Sequence, residues 1–550
     1  MKIRRLYGLA TGLICALTVT GRAATPTLTQ ADVNTVIAQG VAAATKYKDH
    51  CVIAVSDREG YILGVYDDSA GKGNALTQVN AIDKAGTAAY LSSNGEAFTS
   101  RTAGYIIQPH FPPGVANTAP GPLTGVGLSS LPFSDINHFR NPANPAAGIP
   151  NTTLSGNPGG VPLYKDGVLV GAVGVDSYTT LSALIYVAAA YIDEDVAMDA
   201  QHGYAAPTGI VATNVLLNGI RLPYSSFAGA SYGLATLNTL DYLAAYPPTA
   251  SPGAPFNTVT PSPFPDIPNG EVRNQIIGST LPPVGGQSRL TQAEVLTILH
   301  QAALRASQTR AAIRNPPGSA AEVFIVVVDY YNPSSPPGTV AALPTSPPTA
   351  VPQVLGSFRT PDATIFSYDV AAQKARTALF FSSNTMAMSS RAVGFLAQGT
   401  YPPGINNTAP GPYGPPTYGA SDASFLTVAS APIFKPPYGY QVLFSFNPVA
   451  LTGITPGPTP QPKTIAISAT QPPNAFLPNG ITVFPGGFPL YRNGVLIGAI
   501  GVSGDGVDQD DLISAAGTVG FEAPASIQAD EFTYRGARLP YAKFPEDASL

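Results

Sequence analysis

Four basic residues form two matching pairs in a chain that is otherwise poor in charge. Only 11% of the 550 residues are charged, yet two similar segments each carry a lysine and an arginine at equivalent places. A guanidinium can bind a carboxylate through two parallel hydrogen bonds, so these residues could hold an acidic ligand. Alternatively, the arginines could bind carbonyl groups of the Pro-Gly loops that follow them. The pairs are Lys84 with Arg101 and Lys374 with Arg391.

The chain has five histidines, which could bind a metal or transfer a proton. None has a histidine at the matching place in the other segment. His110 immediately precedes a Pro-Gly loop and His138 lies in NHFRNP, so these two are the better candidate ligands. A histidine beside a proline-rich turn is also commonly a hydrogen-bonding residue. We expect His300 to face solvent and His50 to lie at the surface beside a strand, and the fifth is His202.

Other chemistries find less support in the sequence. No cluster of His and Cys residues has metal-binding spacing. The acidic run 505–511 lacks the spacing of an EF-hand loop, and we expect it to cap the last helix at the positive end of its dipole. The PGG motifs at Pro158 and Pro485 could bind an anion through backbone amides, but without a Lys, Ser or Thr partner the signal is weak. The sequence therefore indicates no catalysis.

The N-terminal residues have the layout of a secretory signal peptide. A basic start is followed by an apolar run from Leu6 to about Thr20 and by small residues up to Ala23. A membrane anchor is the alternative, but the run is shorter than the roughly 20 apolar residues that span a bilayer. We therefore predict that residues 1–23 are a signal peptide, that the protein is secreted or periplasmic, and that it has no stable membrane span.

Charge and cysteine content narrow the possible partners of the exported chain. Residues 1–23 contain four of the 28 basic residues and none of the 33 acidic ones, so the remainder has a net charge of −9 with neutral histidines. Nucleic acids and anionic membranes need clustered positive charge, so neither is an expected partner. Cys51 is then the one remaining cysteine and cannot form an internal disulfide. It begins the apolar run CVIAVSD, which predicts a buried, inert thiol.

Repeated segments in the same order show that the chain is a tandem duplication. The repeat includes an unusual loop, in which nine of twelve positions match. We predict a first unit at 24–230, a proline-rich linker at 231–288 and a second unit at 289–550. The clearest matches are LTQADVNTVI (28–37) with LTQAEVLTIL (290–299), FPPGVANTAPGP (111–122) with YPPGINNTAPGP (401–412), and PGGVPLYKDGVLVGAVGV (158–175) with PGGFPLYRNGVLIGAIGV (485–502).

Each unit has recognisable signals for helices and hairpins. Thr29 with Asp32 and Thr291 with Glu294 have the spacing of capping boxes ahead of amphipathic helices. Asp-Gly at 166–167 and Asn-Gly at 493–494 favour tight hairpin turns, since both central positions of such turns favour positive φ. The predicted order is helix, strands, helix, loop, strand pair and helix, which is an α+β unit with a mainly antiparallel sheet.

These motifs resemble the GlcG/HbpS-like family of small haem-binding proteins. The resemblance rests on the PPG loops, on the pattern DxxGxxLG, and on FRTPDATIFSYDVAAQKARTA (358–378) and FPGGFPLYRNGVLIGAIGVSGDGVDQDD (484–511). The first unit departs from the pattern, because Asp67 stands in the place of Arg359 and DSYTTLSALIY follows Val175. Its stretch DEDVAMDAQHGY (193–204) then aligns with DDLISAAGTVGF (510–521).

The resemblance implies an architecture and a ligand. Each unit would be a profilin-like α/β/α domain, and the two would form within one chain the contact that family members make between chains, an intrachain pseudo-dimer. A homo-oligomer is a further expectation. The repeated loop would pack over the sheet of its own unit or against the other unit. The implied ligand is haem or a related tetrapyrrole, bound without covalent attachment, since no CxxCH motif occurs.

Such a ligand needs an apolar slot, an axial ligand to the iron and cations for the propionates. The axial ligand would be His110 or His138, and the cations would be Lys84, Arg101, Lys374 and Arg391. The first unit has diverged, which favours a second hypothesis, a ligand-free structural or interaction module of the same fold. A haem-degrading activity is a third hypothesis and rests on the family resemblance alone.

Overall fold

The computed structural model describes most of both units. Residues 1–23, His110 and His138 lie outside the described ranges, so the predictions made for them rest on sequence. Within those ranges, no helix combines the length and the apolar character needed to cross a bilayer. The described residues are 26–68, 75–107, 111–113, 115, 121–123, 135, 155–177, 186–244, 246, 258–330, 353–398, 400–405, 407–409, 411 and 482–543.

The helices and strands follow one another in the same order in both units. The first unit contains α1 (Gln30–Tyr47), β1 (Cys51–Asp57), β2 (Ile62–Asp67), α2 (Ala75–Tyr90), α3 (Ser100–Ile106), β3 (Gly160–Lys165), β4 (Val168–Ser177), α4 (Tyr186–Ala200), β5 (Leu216–Leu217), β6 (Ile220–Arg221) and β7 (Tyr242–Ala244). The second contains β8 (Val259–Pro261), β9 (Glu271–Ile276), α5 (Gln292–Gln308), β10 (Val323–Asp329), β11 (Val354–Arg359), α6 (Ser367–Phe380), α7 (Ser390–Leu396), β12 (Gly487–Arg492), β13 (Val495–Gly504), α8 (Val507–Gly517), β14 (Thr533–Tyr534) and β15 (Ala537–Arg538).

Each unit is built on one antiparallel sheet. The strand order is β3-β4-β1-β2-β7 in the first unit and β12-β13-β10-β11-β9-β8 in the second, so the first four strands correspond. The register corresponds as well, because Val52 pairs with Asp67 as Phe324 pairs with Arg359. This register confirms that Asp67 occupies the place of Arg359.

Helices cover both faces of each sheet. In the first unit α1 and α4 pack together on one face and α2 lies on the other; in the second, α5 and α8 share one face and α6 covers the other. The residues predicted for the buried stripe of α1, Val33, Val36 and Ile37, are fully buried. The predicted profilin-like α/β/α architecture is therefore confirmed. Cys51 is also buried, and burial raises the pKa of its thiol, so it is an unreactive core residue.

The local signals in the sequence form as predicted. The Thr29 hydroxyl accepts from the Asp32 amide at 3.3 Å while the Asp32 carboxylate accepts from the Thr29 amide at 2.6 Å, which closes the capping box. At the hairpin turn between β3 and β4, Asp166 and Gly167 have φ of 50° and 78°. The corresponding Asn493 has φ of 49°. These conformations are set by residues close in sequence, which explains why they could be predicted.

The segment predicted as a linker, 231–288, adds strands to both sheets instead of only joining the units. β7 pairs with β2 through Tyr66 and Tyr242, and β9 pairs with β11 through Phe358 and Val272. The exposed edge of a sheet presents unpaired amide and carbonyl groups, which an added strand satisfies. The proline-rich composition of the segment had obscured these short strands.

The described parts of the repeated loops pack against the short helices that precede them. Phe111 meets Tyr105 of α3 edge to face at a centroid distance of 5.7 Å. In the second unit, Tyr401 meets Phe395 of α7 in the same way at 5.5 Å. Tyr401 also contacts Tyr534 of β14. The described residues therefore place the start of each loop beside α3 or α7, whereas the sequence led us to expect the sheet or the other unit.

Candidate functional site

Two buried lysines occupy equivalent positions beneath the last helix of each unit. Lys84 is 1% exposed, and its ammonium donates to Asp193 of α4 at 2.7 Å, to Asp176 at 2.7 Å and to the Val175 carbonyl at 2.8 Å. Lys374 is equally buried and donates to Asp510 of α8 at 2.7 Å and to the Val502 carbonyl at 2.8 Å. Lys84 thus connects α2 to the central sheet and to α4 on the other face of the sheet. Lys374 connects α6 to its sheet and to α8 in the same way.

The repeated PGG motif lies directly on these lysines. A Cβ at Gly160 would overlap the carbonyl oxygen of Lys84, and one at Gly487 would overlap that of Lys374. Glycine is therefore needed at both positions, because only a residue without a side chain permits this approach. The close packing gives the motif a structural role, and the anion-binding alternative weighed from the sequence has no support in this geometry.

The two repeated arginines also pair with the last helix. Arg101 of α3 makes a bidentate contact with Glu194 of α4, at 2.6 and 2.9 Å. Arg391 of α7 donates to Asp511 at 2.8 Å and to Asp508 at 2.6 Å, both on α8. The arginine side chains remain 19% and 17% exposed, so each keeps an edge toward solvent.

The four predicted cations are thus brought together in pairs with acidic residues of the last helices. The alignment of 193–204 with 510–521 already placed these carboxylates at matching positions, but their partners lie about a hundred residues away in the chain. The sequence therefore indicates the four basic residues but not the carboxylates with which they pair. Their contact with a propionate stays a prediction. The acidic run 505–511 lies at the start of α8 as expected, with Asp508 and Asp510 in the first turn at the positive end of the helix dipole, but the N-cap is Gly506 and no side chain makes a capping hydrogen bond.

The two lysine sites differ electrostatically because the first has one carboxylate more. Burial alone would lower the pKa of Lys84. The negative charges of Asp176 and Asp193 have the larger effect, so the pKa of Lys84 is raised. Lys374 faces a single aspartate, and burial lowers its pKa. Burial also raises the pKa of Asp193 to about 7 and that of Asp510 to about 6. Ser503 takes the place of Asp176 in the second unit, which accounts for the difference.

Arg314 joins the two units at a buried junction. Its guanidinium donates to Asp505 and Asp362 of its own unit, each at 2.6 Å, and to the Ser93 hydroxyl of the first unit at 3.1 Å. Asp362 in turn accepts from the backbone amide of Gly95 at 2.9 Å. One arginine and one carboxylate therefore connect the loop after α2 to three loops of the second unit, and the predicted pseudo-dimer is confirmed.

Glu96 is a buried carboxyl group at the same junction. It is fully buried, the cation that faces it is Arg314 at 3.7 Å, and neither of its carboxyl oxygens accepts a hydrogen bond from a donor of the described residues. Burial, followed by the negative charge of Asp505, raises the pKa of Glu96 well above its usual value. Asp505 is shifted in the same direction, mainly by burial. Both shifts favour the protonated form of the carboxyl groups at this junction.

Replacing Glu96 with glutamine is expected to remove a pH dependence from the free energy of unfolding. The folded-state pKa is raised, so the folded protein holds a proton that the unfolded chain releases above about pH 4.5, and stability falls as pH rises through this window. The E96Q variant carries no such proton. Urea unfolding between pH 5 and 8 should show E96Q gaining stability over the wild type as pH rises. The exposed Glu531→Gln control should show the same dependence of unfolding free energy on pH as the wild type. If E96Q also showed the wild-type dependence, the raised pKa of Glu96 would be contradicted.

The described histidines are mostly surface residues. His50 is 69% exposed and lies 3.4 Å from Asp68, which agrees with its predicted surface position. His300 is 39% exposed, as expected, but it also lies 2.9 Å from Asp266 and stacks on Phe264 at 4.7 Å. Neither arrangement resembles a buried axial ligand. Across the described ranges, no group of three or more His, Cys, Asp or Glu residues could hold a metal ion.

His202, which the sequence did not single out, lines an open groove of about 680 Å³ in the first unit. The volume is within the range of ligand pockets, but the lining is polar, whereas ligand pockets are predominantly apolar. Lys165 and Tyr204 both bind Asp32 there, at 2.6 and 2.7 Å. The groove is lined by Pro26, Thr27, Asp32, Thr35, Gln39, Lys165, Asp166, His202, Gly203 and Tyr204.

Two α/β/α units with the same strand order, the same buried lysine and a shared junction define a duplicated profilin-like protein. Residues 28–181 and 450–518 match the family model described as haem degrading protein HbpS-like. The chain is therefore similar to the HbpS-like family in a stretch of each unit. No curated protein matches the chain.

Three solved structures with similarity to part of the chain are 18–19% identical to it. Klebsiella pneumoniae protein ORFY is 19% identical, with 36% of this chain and 96% of that chain covered and a TM-score of 0.21. A PduOC complex with haem is 18% identical, with 33% and 99% covered and a TM-score of 0.23. A double mutant of Streptomyces reticuli HbpS is 18% identical, with 36% and 98% covered and a TM-score of 0.18.

Proposed function

We propose that this protein binds haem or a related tetrapyrrole without covalent attachment and that it acts outside the cytoplasm. The observation that carries the proposal is the match of both units to the HbpS-like family model. The N-terminal sequence supports export, and the lack of a CxxCH motif supports noncovalent binding.

Neither the groove beside His202 nor the surroundings of the two buried lysines suit a tetrapyrrole. The groove beside His202 is polar, and the two lysines are sealed in the core by their aspartates. A haem iron would take an imidazole as axial ligand, and the proposal assigns this role to His110 or His138. Arg101 and Arg391 would face the propionates, since both keep solvent-exposed surface beside the helices from which the PPG loops start.

A haem titration of the mature protein tests the proposal. Binding is expected to shift the Soret band, with saturation at one or two haems per chain. His110→Ala or His138→Ala should weaken binding if that histidine is the ligand, because loss of the axial bond leaves only apolar contacts and the propionates. The exposed His50→Ala is the matched control and should bind as the wild type does. A wild-type protein with no Soret shift would contradict the proposal.

A ligand-free structural or interaction module is the second candidate, and the ion pairs favour it. All four predicted cations hold a helix in place through carboxylates of the same unit, which is a complete role without a ligand. Absence of haem binding together with an intact, cooperatively unfolding protein would support this alternative.

A haem-degrading activity is tested separately on the loaded protein. Addition of a reductant or of peroxide should leave the Soret band stable if the protein only binds haem. A progressive loss of the band that requires the protein would indicate degradation. Sequencing the N-terminus of the protein recovered outside the cytoplasm tests the predicted cleavage near Ala23.

A further inference from the structure

Four segments of the first unit meet around the open groove beside His202 and are joined to one another. Asp32 of α1 accepts from Lys165 at the end of β3 at 2.6 Å and from Tyr204 of the loop after α4 at 2.7 Å. Lys165 also donates to the carbonyl group of Thr27, ahead of α1, at 3.0 Å. These contacts hold the walls of the groove in fixed positions, as a pre-formed binding site requires.

Further polar groups of the groove can meet a ligand. Thr35 and Gln39 follow Asp32 at helical spacing, so all three lie on one face of α1, and all three line the groove. The Oε1 atom of Gln39 is buried and accepts no hydrogen bond from a donor of the described residues. His202 is exposed, and its ring can both donate and accept. A buried acceptor without a donor is costly, so a ligand group that donates to Gln39 is favoured.

The charges of the groove nearly cancel, which indicates a neutral ligand. Asp32 and Lys165 neutralise each other as an ion pair. Asp166 also lines the groove, but it is exposed to solvent, which screens its charge. The remaining lining combines amide, hydroxyl and imidazole groups. A ligand rich in hydroxyl groups suits such a lining, because each hydroxyl both donates and accepts hydrogen bonds.

The corresponding place in the second unit is less polar. Val519 and Phe521 stand there in the places of His202 and Tyr204. The structure supports this correspondence, because the carbonyl group of Phe521 accepts from β12 at 2.8 Å as that of Tyr204 accepts from β3 at 2.8 Å. Gln301, the counterpart of the groove glutamine, also has a buried Oε1 without a donor among the described residues. The polar residues at 202 and 204 are therefore the part of the groove that is specific to the first unit.

We propose that the groove beside His202 binds a neutral, hydroxyl-rich ligand of the saccharide class. Sugar hydroxyls can donate to Gln39 and accept from the His202 ring, and the groove of about 680 Å³ is large enough for a sugar ring. The site is independent of the proposed tetrapyrrole binding, because none of its residues is assigned to that ligand.

Saturation-transfer NMR on the full mature protein tests the site. The probes are glucose, galactose, mannose and N-acetylglucosamine, with glucosamine and glucuronate as cationic and anionic counterparts. At least one neutral sugar should receive saturation from the wild type and bind more tightly than both charged sugars. The double variant H202V/Y204F, which installs the residues of the second unit, should weaken this binding about tenfold, the effect of losing one or two hydrogen bonds.

Matched substitutions in the two units provide the control. Gln39→Leu should weaken binding as well, whereas Gln301→Leu, the same change at the equivalent place, should leave it unchanged. H202V alone changes an exposed side chain, so it tests the groove even if the other variants fold poorly. The proposal is overturned if no neutral sugar binds, if a charged sugar binds more tightly, or if H202V/Y204F and Q39L bind as the wild type does.

Discussion

Replacing Arg314 with methionine is expected to lower the free energy of unfolding by about 3–5 kcal/mol, the usual cost of removing one partner from a buried ion pair. Arg314 is 5% exposed and is the cation shared by Asp505 and Asp362, with Glu96 at 3.7 Å. Without it, Asp362 and Asp505 remain at the junction with their negative charge uncompensated. We therefore expect the units to separate or to unfold together at lower urea concentration.

The pH dependence distinguishes this mechanism from a simple packing defect. The carboxyl groups can take up protons, so the loss of stability in R314M should shrink as the pH is lowered toward 5. The exposed Arg310→Met, in the same loop, provides a matched control and should change stability by less than about 0.5 kcal/mol. A loss for R314M that is equally small, or one that does not vary with pH, would show that Arg314 does not hold the junction.

The second large effect is expected at the buried lysines. Lys374→Met should cost about 3–5 kcal/mol at pH 8, because it leaves Asp510 charged and buried without its cation. The pKa of Asp510, about 6 with the lysine in place, should rise further when the cation is lost. The loss should therefore decrease as the pH falls from 8 toward 6, because Asp510 of the variant takes up a proton in this range. Lys84→Met should lower the free energy of unfolding further, because it leaves both Asp176 and Asp193 without their cation.

A double substitution provides the sharper control for the lysine site. In K374M/D510L, the lysine and its aspartate are both absent, so neither leaves an unpaired buried charge and stability should recover a large part of the loss seen in K374M. Urea unfolding of the two variants and the wild type measures the interaction, and the exposed Lys46→Met on α1 reports the effect of losing a lysine from the surface. If K374M alone were as stable as the wild type at pH 8, the ion pair would not be holding α8 on the sheet.

The duplicated lysine and arginine contacts explain why these residues recur in the sequence. The lysines link α2 or α6, on one face of the sheet, to α4 or α8 on the other face. The arginines link the short helices α3 and α7 to the same last helices. Buried ion pairs often add little net stability over apolar packing, but they fix the relative position of the elements they join. The same pairs in both units place α4 and α8 in the same position, even though the first unit has diverged nearby.

The sequence by itself determined the features that depend on neighbours in the chain or on the repeat. It predicted both capping boxes, the two hairpin turns, the buried stripe of α1, the buried thiol of Cys51 and the two-unit architecture. These features follow from side-chain periodicity, from turn residues and from direct comparison of the two copies. The same comparison identified the four cations as important positions.

Only the tertiary structure shows which carboxylates pair with those cations and how the two units contact each other. Lys84 and Asp193 are 109 residues apart, Arg314 and Ser93 are 221 apart, and the short strands β7, β8 and β9 form only because a sheet edge is available to them. Such contacts depend on the folded path of the chain, which no local pattern encodes. The raised pKa of Glu96 follows from that structure alone, because burial and the sum of nearby charges are properties of the assembled junction.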